Sequence, residues 1–120
     1  MIKTVKILGT SYRVQTDVHE SKDDGLAGRF GYCSYTDHRI VVVDLNTVDG
    51  WRDESEEIKL IQKKSTLRHE VIHAFLAESG LWGSSAGVNS WALNEEMVDW
   101  FAMQLPKMIN VFEQLDCMGV

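Results

Sequence analysis

The sequence predicts an α+β domain in which strands come first and helices follow. Two observations carry that expectation. Through about residue 50, β-branched and aromatic residues gather in short runs parted by turn residues; after Gly50 the apolar spacing lengthens to that of a helix. A third observation sets the size: 120 residues with 44% hydrophobic and 25% charged side chains have the composition of one soluble core, with no room for two. Residues 1–120 are therefore read as a single domain.

Ile2 to Leu8 and Tyr12 to Thr16 flank Gly9-Thr10 and predict an opening hairpin. Asp17 to Arg29 is polar, carries Asp23, Asp24, Gly25 and Gly28, and has no periodic apolar face, so an exposed loop is expected. Phe30 to Tyr35 and Arg39 to Leu45 form a second hairpin around Thr36-Asp37-His38. The run Ile40-Val41-Val42-Val43 is apolar on both faces and should be the most buried strand.

From Asp53 to Glu57 acidic residues stand where a helix N-terminus favours them, and an apolar pattern follows through Ile58, Ile61, Leu67, Val71 and Phe75 to a stop at Gly80. One helix of about 25 residues, or two joined near Ser65-Thr66, fits this pattern. A Gly/Ser-rich stretch covers Gly83 to Ser90. A second helix is expected from Trp91 to Leu105, ended or kinked by Pro106, which lacks an N–H. Lys107 to Leu115 forms a last amphipathic stretch.

Charge and composition narrow the function. Twelve Lys and Arg against eighteen Asp and Glu give a net charge of −6, which argues against a nucleic-acid or anionic-membrane binder. No apolar run approaches the roughly 18 residues of a membrane span, and Lys3 and Lys6 interrupt the start, so a cytoplasmic location is expected. Cys33 and Cys117 are too few and too far apart for a disulfide framework or a cysteine zinc site.

The histidines carry more information. In His69-Glu70-Val71-Ile72-His73 the two histidines are four residues apart, so on a helix they lie about 40° apart around the axis and about 6 Å apart along it. Both imidazoles can then reach one metal ion, while Glu70 on the neighbouring edge can reach a water on that ion. With four His and nine Glu in the chain, an H-E-x-x-H arises by chance on the order of 1% of the time. Asn94-Glu95-Glu96-Met97-Val98-Asp99 follows at the start of the next helix, and its N-E-x-x-x-D pattern has a chance frequency that is also about 1%. The two together call for a common explanation.

On these two motifs the chain resembles the gluzincin branch of zinc metallopeptidases. The Asn94 to Asp99 segment is similar to the glutamate helix of thermolysin-like enzymes. The short length and the run Glu95, Val98, Asp99, Phe101, Ala102 ending at Pro106 resemble the ImmA/IrrE family of small metallopeptidases from phages, mobile elements and bacteria. Val98 stands where that family usually has Ala, and Gln104 where it usually has an apolar residue; the motifs span Thr66 to Pro106, about a third of the chain. The resemblance implies a zincin-like fold, with a small antiparallel or mixed sheet packed on the H-E-x-x-H helix and on a second, glutamate-bearing helix. It further implies His69, His73 and Glu95 as ligands of one catalytic zinc ion, Glu70 as general base and Asp99 as support for a zinc-bound imidazole. Glu96 competes with Glu95, but only Glu95 is four residues before Asp99.

Chemistry agrees with that set, because two neutral imidazoles and one carboxylate leave zinc an open fourth position of the catalytic kind. The expected function is hydrolysis of peptide bonds, with Glu70 activating a zinc-bound water. By resemblance it is a phage-associated enzyme acting on a protein or peptide, such as a regulatory protein, bound along a sheet edge. Two alternatives stand beside it: a zinc amidohydrolase with a non-peptide substrate, and a zinc-stabilised, catalytically silent protein-interaction module. His19, Tyr12, Tyr32, Tyr35 and His38 are the candidates for a transition-state donor. Lys59, Lys63, Lys64 and Arg68 read as a solvated helix face rather than a docking stripe. Trp82, Trp91, Trp100 and Phe101 read as core and loop anchors, and Cys33 as a small buried hydrophobe. So short a chain leaves little for lids, and a shallow, open site is expected.

Overall fold

In the computed structural model, which describes residues 1–80 and 94–114 and side chains through Asn110, the first two runs form β1 (Ile2–Ile7) and β2 (Thr10–Val18). They pair antiparallel, with Ile7 opposite Thr10. The turn is therefore Leu8-Gly9, one residue earlier than expected, and both residues have positive φ, 48° and 89°. Such a two-residue turn matches the twist of its strands.

The second hairpin is β3 (Gly31–Ser34) and β4 (Arg39–Val43), again antiparallel; Ser34 pairs with Arg39, so the loop is the four residues Tyr35 to His38 and not the three expected. Its position was not legible locally. The chain leaves β2, runs to the far edge, and returns so that β4 lies parallel to β2, giving a four-stranded mixed sheet in the order β1-β2-β4-β3. β1 and β3 are its edges. β4 is buried along Ile40 to Val43 because both of its faces are covered. On one face Ile40 packs with Ile7, Tyr12, Val14 and Ala74 of the following helix. On the other, Val41 and Val43 pack with Leu26 and Leu45, joined by Phe30, Tyr32 and Trp51.

That second face corrects the expectation of an exposed loop. Residues after β2 form two short 3-10 turns, and Leu26 is fully buried beneath the sheet. Burying a leucine contributes roughly 1.5 to 3 kcal/mol, enough to fasten a polar loop that has no periodic face. Tyr32 Oη donates to Asp23 Oδ2 at 2.6 Å, adding a second anchor.

One helix, α1 (Glu56–Glu78), follows, so the two-helix alternative does not apply. Ser55 Oγ caps it by accepting from Ile58 N, and Gly80, at φ 81°, takes up the left-handed conformation just past its end. The expected apolar stripe is only partly used: Ile58, Ile61 and Phe75 are exposed, whereas Lys59, Thr66, Glu70 and Ala74 are buried. Lys59 can be buried because Nζ donates to Asn46 Oδ1, the Arg52 carbonyl and Glu56 Oε1. Lys63 donates to Asp17, and Arg68 turns inward, so the basic residues do not form one solvated face.

The last element, α2 (Glu95–Gln114), runs through Pro106 instead of ending there. Proline removes the donor that would serve the carbonyl four residues back, at Ala102. Arg68 Nε of α1 donates to that oxygen at 2.8 Å. The helix continues because its neighbour replaces the missing bond. Trp100 is half exposed and stacks edge-on with Phe101, so it is not a core anchor among the described residues. α2 begins at Glu95, after the non-helical Asn94, later than the expected start near Trp91; the Gly83 to Ser90 stretch, Trp82, Trp91, Leu115 and Cys117 lie outside the described residues.

Candidate metal centre

His69 and His73 sit one turn apart on α1, and their Nε2 atoms approach to 3.1 Å. Glu95 is the first residue of α2, and Asn94 sets its position: Asn94 Oδ1 accepts from Met97 N at 3.0 Å while the Asn94 carbonyl accepts from Val98 N. So placed, Glu95 reaches across with both oxygens. Oε2 lies 3.0 Å from His69 Nε2 and Oε1 lies 3.0 Å from His73 Nε2. One turn further along α2, Asp99 Oδ1 lies 2.5 Å from His69 Nδ1. Glu96 instead lines a separate surface depression with Asn94, Met97 and Trp100.

Donor chemistry tests whether this cluster suits a cation. The Asp99 carboxylate can only accept, so His69 Nδ1 carries the proton of that contact and Nε2 is the ring atom that would face a cation. Burial holds His73 below the usual histidine range, with the charge of Glu95 opposing that shift. Two imidazole Nε2 atoms and a carboxylate therefore converge, and once Nε2 is free of protons their lone pairs would face an ion placed between them. Ligands of a tetrahedral zinc ion, at about 2.0 to 2.1 Å, stand about 3.3 to 3.4 Å apart, close to the 3.0 and 3.1 Å separations here. His69, Glu70 and His73, whose donor atoms lie within 4.8 Å of one another, can hold a metal ion.

Glu70 faces a different demand. It is 7% exposed, and its carboxyl is pushed up to about 7, first by burial and then by the negative charges of Glu95 and Asp99, against the lowering influence of His69 and Arg29. A carboxyl near neutrality beside a metal-capable cluster suits proton transfer. Gly31 of β3 creates the close contact: a Cβ there would lie 2.8 Å from the Val41 carbonyl, 2.9 Å from Thr66 Cγ2 and 3.5 Å from Glu70 Cγ.

The cluster opens into a cavity of about 570 Å³, lined by His69, Glu70, His73 and Glu95 on the helical side and by Arg29 and β3 on the other. Of the five donor candidates, Tyr32 and Tyr35 line it. The other three do not. Tyr12 is fully buried and donates to Glu78, His38 faces the same carboxylate at 3.8 Å, and His19 Nδ1 accepts from Ser21 N in a surface turn. Cys33 is half-buried against the α1-facing core, and burial, followed by the charges of Glu70 and Glu78, pushes its thiol up to about 12. Arg29 and Gly31 were missed by sequence reasoning. A glycine inside a strand pattern is a signal of close backbone approach and could have identified Gly31; nothing local marks Arg29. Among the described residues, no helix is long and apolar enough to cross a membrane. No family model, curated protein or solved structure matches the chain, so the reading of this centre rests on its own residues and geometry.

Proposed function

We propose that the chain is a zinc-dependent metallopeptidase with a zincin-like fold, of the gluzincin type and similar to the small ImmA/IrrE enzymes. The observation that carries this reading is the convergence of His69 Nε2, His73 Nε2 and the Glu95 carboxylate within 3.1 Å, beside a buried Glu70. His69, His73 and Glu95 would hold the ion, and two nitrogens with one oxygen suit zinc better than magnesium or calcium, which prefer oxygen. When bound, zinc supplies Lewis acidity at the scissile carbonyl and makes water more acidic. The chain does the rest. Asp99 fixes the His69 ring and its tautomer. Glu70 takes a proton from the attacking water and returns it to the leaving nitrogen. Among the described residues β3 is the edge strand that lines the cavity, so an extended peptide would pair with it while its scissile bond faces Glu70.

The test is cleavage of a protein or peptide pool by the zinc-loaded chain and by its Glu70→Gln variant, with metal content measured on both. The enzyme reading expects equal metal and cleavage only by the parent. Cleavage undiminished in the variant would sink it. Absence of cleavage by both, with retained protein binding, would favour a silent zinc-stabilised module, and turnover confined to non-peptide amides would favour an amidohydrolase.

A further inference from the structure

The proposed chemistry leaves one charged group of the cavity without a task. Among the described lining residues Arg29 is the one Lys or Arg, and its charge is felt at Glu70. Its guanidinium has no hydrogen bond or ion pair with any described residue. It is exposed, yet its backbone is firmly held. Arg29 N donates to the carbonyl of the fully buried Leu26 at 3.0 Å, and the next residue, Phe30, gives its carbonyl to Val43 N at 2.8 Å and packs its ring edge-on against Trp51. The same loop is tied by Asp23, which accepts from Tyr32 Oη and from Gly25 N. The exposed side chain therefore extends from a tethered point of the backbone into the lining of the cavity.

That point is aligned with the strand edge. β3 begins at Gly31, the residue packed against Glu70, and an extended chain advances about 3.3 Å per residue. Arg29 stands two residues before that strand start, and two residues of backbone span at most about 7 Å, so it lies within that distance of Gly31. Guanidinium presents a planar fork of donors that matches a carboxylate in two parallel hydrogen bonds. In a chain of net charge −6, overall attraction does not gather acidic ligands, so any selection for them must be local.

We infer that Arg29 determines specificity by binding a substrate carboxylate about one to three residues from the scissile bond; this rests on the peptidase reading above. The carboxylate is either an Asp or Glu side chain or the free C-terminus of a peptide. Loss of the guanidinium should reduce the preference for such substrates about 10- to 100-fold.

The test uses the full, zinc-loaded chain carrying Glu70→Gln, alone and with Arg29→Ala or Arg29→Lys, to capture peptides from a random pool made in free-acid and amidated forms. The expected result is enrichment of Asp and Glu over Asn and Gln, or of free termini over amidated ones, lost with Arg29→Ala and partly kept with Arg29→Lys. The two forms of the pool separate the two sources of carboxylate. Capture with no such enrichment, no capture at all, or enrichment that survives Arg29→Ala overturns the assignment. Cleavage of the same pool by the Glu70 parent is read in parallel. Cleavage without acidic preference overturns the role of Arg29 and leaves the peptidase reading standing; Arg29-dependent acidic capture with no cleavage overturns the peptidase reading, and the specificity role with it, and leaves only carboxylate binding by Arg29.

Discussion

Arg68 Nε of α1 donates to the Ala102 carbonyl of α2 at 2.8 Å, and that carbonyl is the one Pro106 deprives of its helical donor. The bond joins the helix bearing His69, Glu70 and His73 to the helix bearing Glu95 and Asp99. It also makes the proline tolerable, because an unpaired buried carbonyl is costly. Arg68→Ala should lower stability by about 1 to 3 kcal/mol. Pro106→Ala restores the helical donor, so the cost of removing Arg68 should shrink in that background. A double-mutant cycle by urea denaturation measures the coupling, and strict additivity would contradict it.

Gly31 holds β3 against α1, since a Cβ there would meet the Val41 carbonyl at 2.8 Å and Thr66 Cγ2 at 2.9 Å. Gly31→Ala should destabilise by about 1 to 3 kcal/mol. Adding Thr66→Ala should recover only part of the loss, because the Val41 contact is backbone. Full recovery in thermal melts would show that the strand itself can yield.

How far the sequence revealed this protein depends on the range of each interaction. The two hairpins, though each turn is displaced or lengthened by one residue, the double-sided burial of Ile40 to Val43, and the helical pairing of His69 with His73 follow from spacing within a few residues and were legible. Asn94 was legible as part of a motif, and its structural task, capping the helix that presents Glu95, is equally local. The placement of β4 beside β2, the burial of Leu26 under the sheet and the Arg68 to Ala102 bond were not legible, because each joins segments distant along the chain. Arg29 belongs with these. Nothing in its own neighbourhood distinguishes it from a surface arginine; its meaning comes from β3 and α1 meeting beside it.

The Glu70 carboxyl predicts a pH dependence for the metal-free protein. Its folded value, about 7, lies above the unfolded value near 4.5, so between these limits the folded state holds more protons. The stability contributed is fully present below about pH 4.5 and is lost as pH rises through 7. Relative to Glu70→Gln, the parent should lose up to about 3 kcal/mol between pH 4.5 and 8. Parallel stability profiles for the two proteins, measured in chelator, would exclude the shift.

Cys33 should resist alkylation. With its thiol pushed up to about 12, the thiolate fraction at pH 8 is on the order of one in ten thousand. Mass spectrometry of the folded chain with iodoacetamide should show slow labelling at Cys33, accelerating on denaturation. Rapid labelling under native conditions would mean that the thiol is ionised by a neighbour or open to solvent.

Metal binding should rank the cluster by what each side chain touches. His73 and Glu95 would each supply a ligand, so His73→Ala and Glu95→Ala should lose metal outright or nearly so. Asp99 contacts His69 through Nδ1, on the far side of the ring from the Nε2 that faces Glu95. Asp99→Asn keeps the ring in place but weakens its charge-assisted partner, and it should retain metal with affinity lower by about 10- to 100-fold. Because the proposed ligands would come from both helices, metal should also stabilise the fold, by about 2.7 kcal/mol when free zinc is a hundred times its Kd. For a chain of this size that corresponds to a rise in Tm on the order of 10 °C. Competition against a chromophoric chelator gives the affinities, and calorimetry before and after chelation gives the Tm. If Asp99→Asn lost more metal than His73→Ala, the carboxylate of Asp99 rather than the imidazole of His73 would be the ligand, and the centre would have to be rebuilt around it.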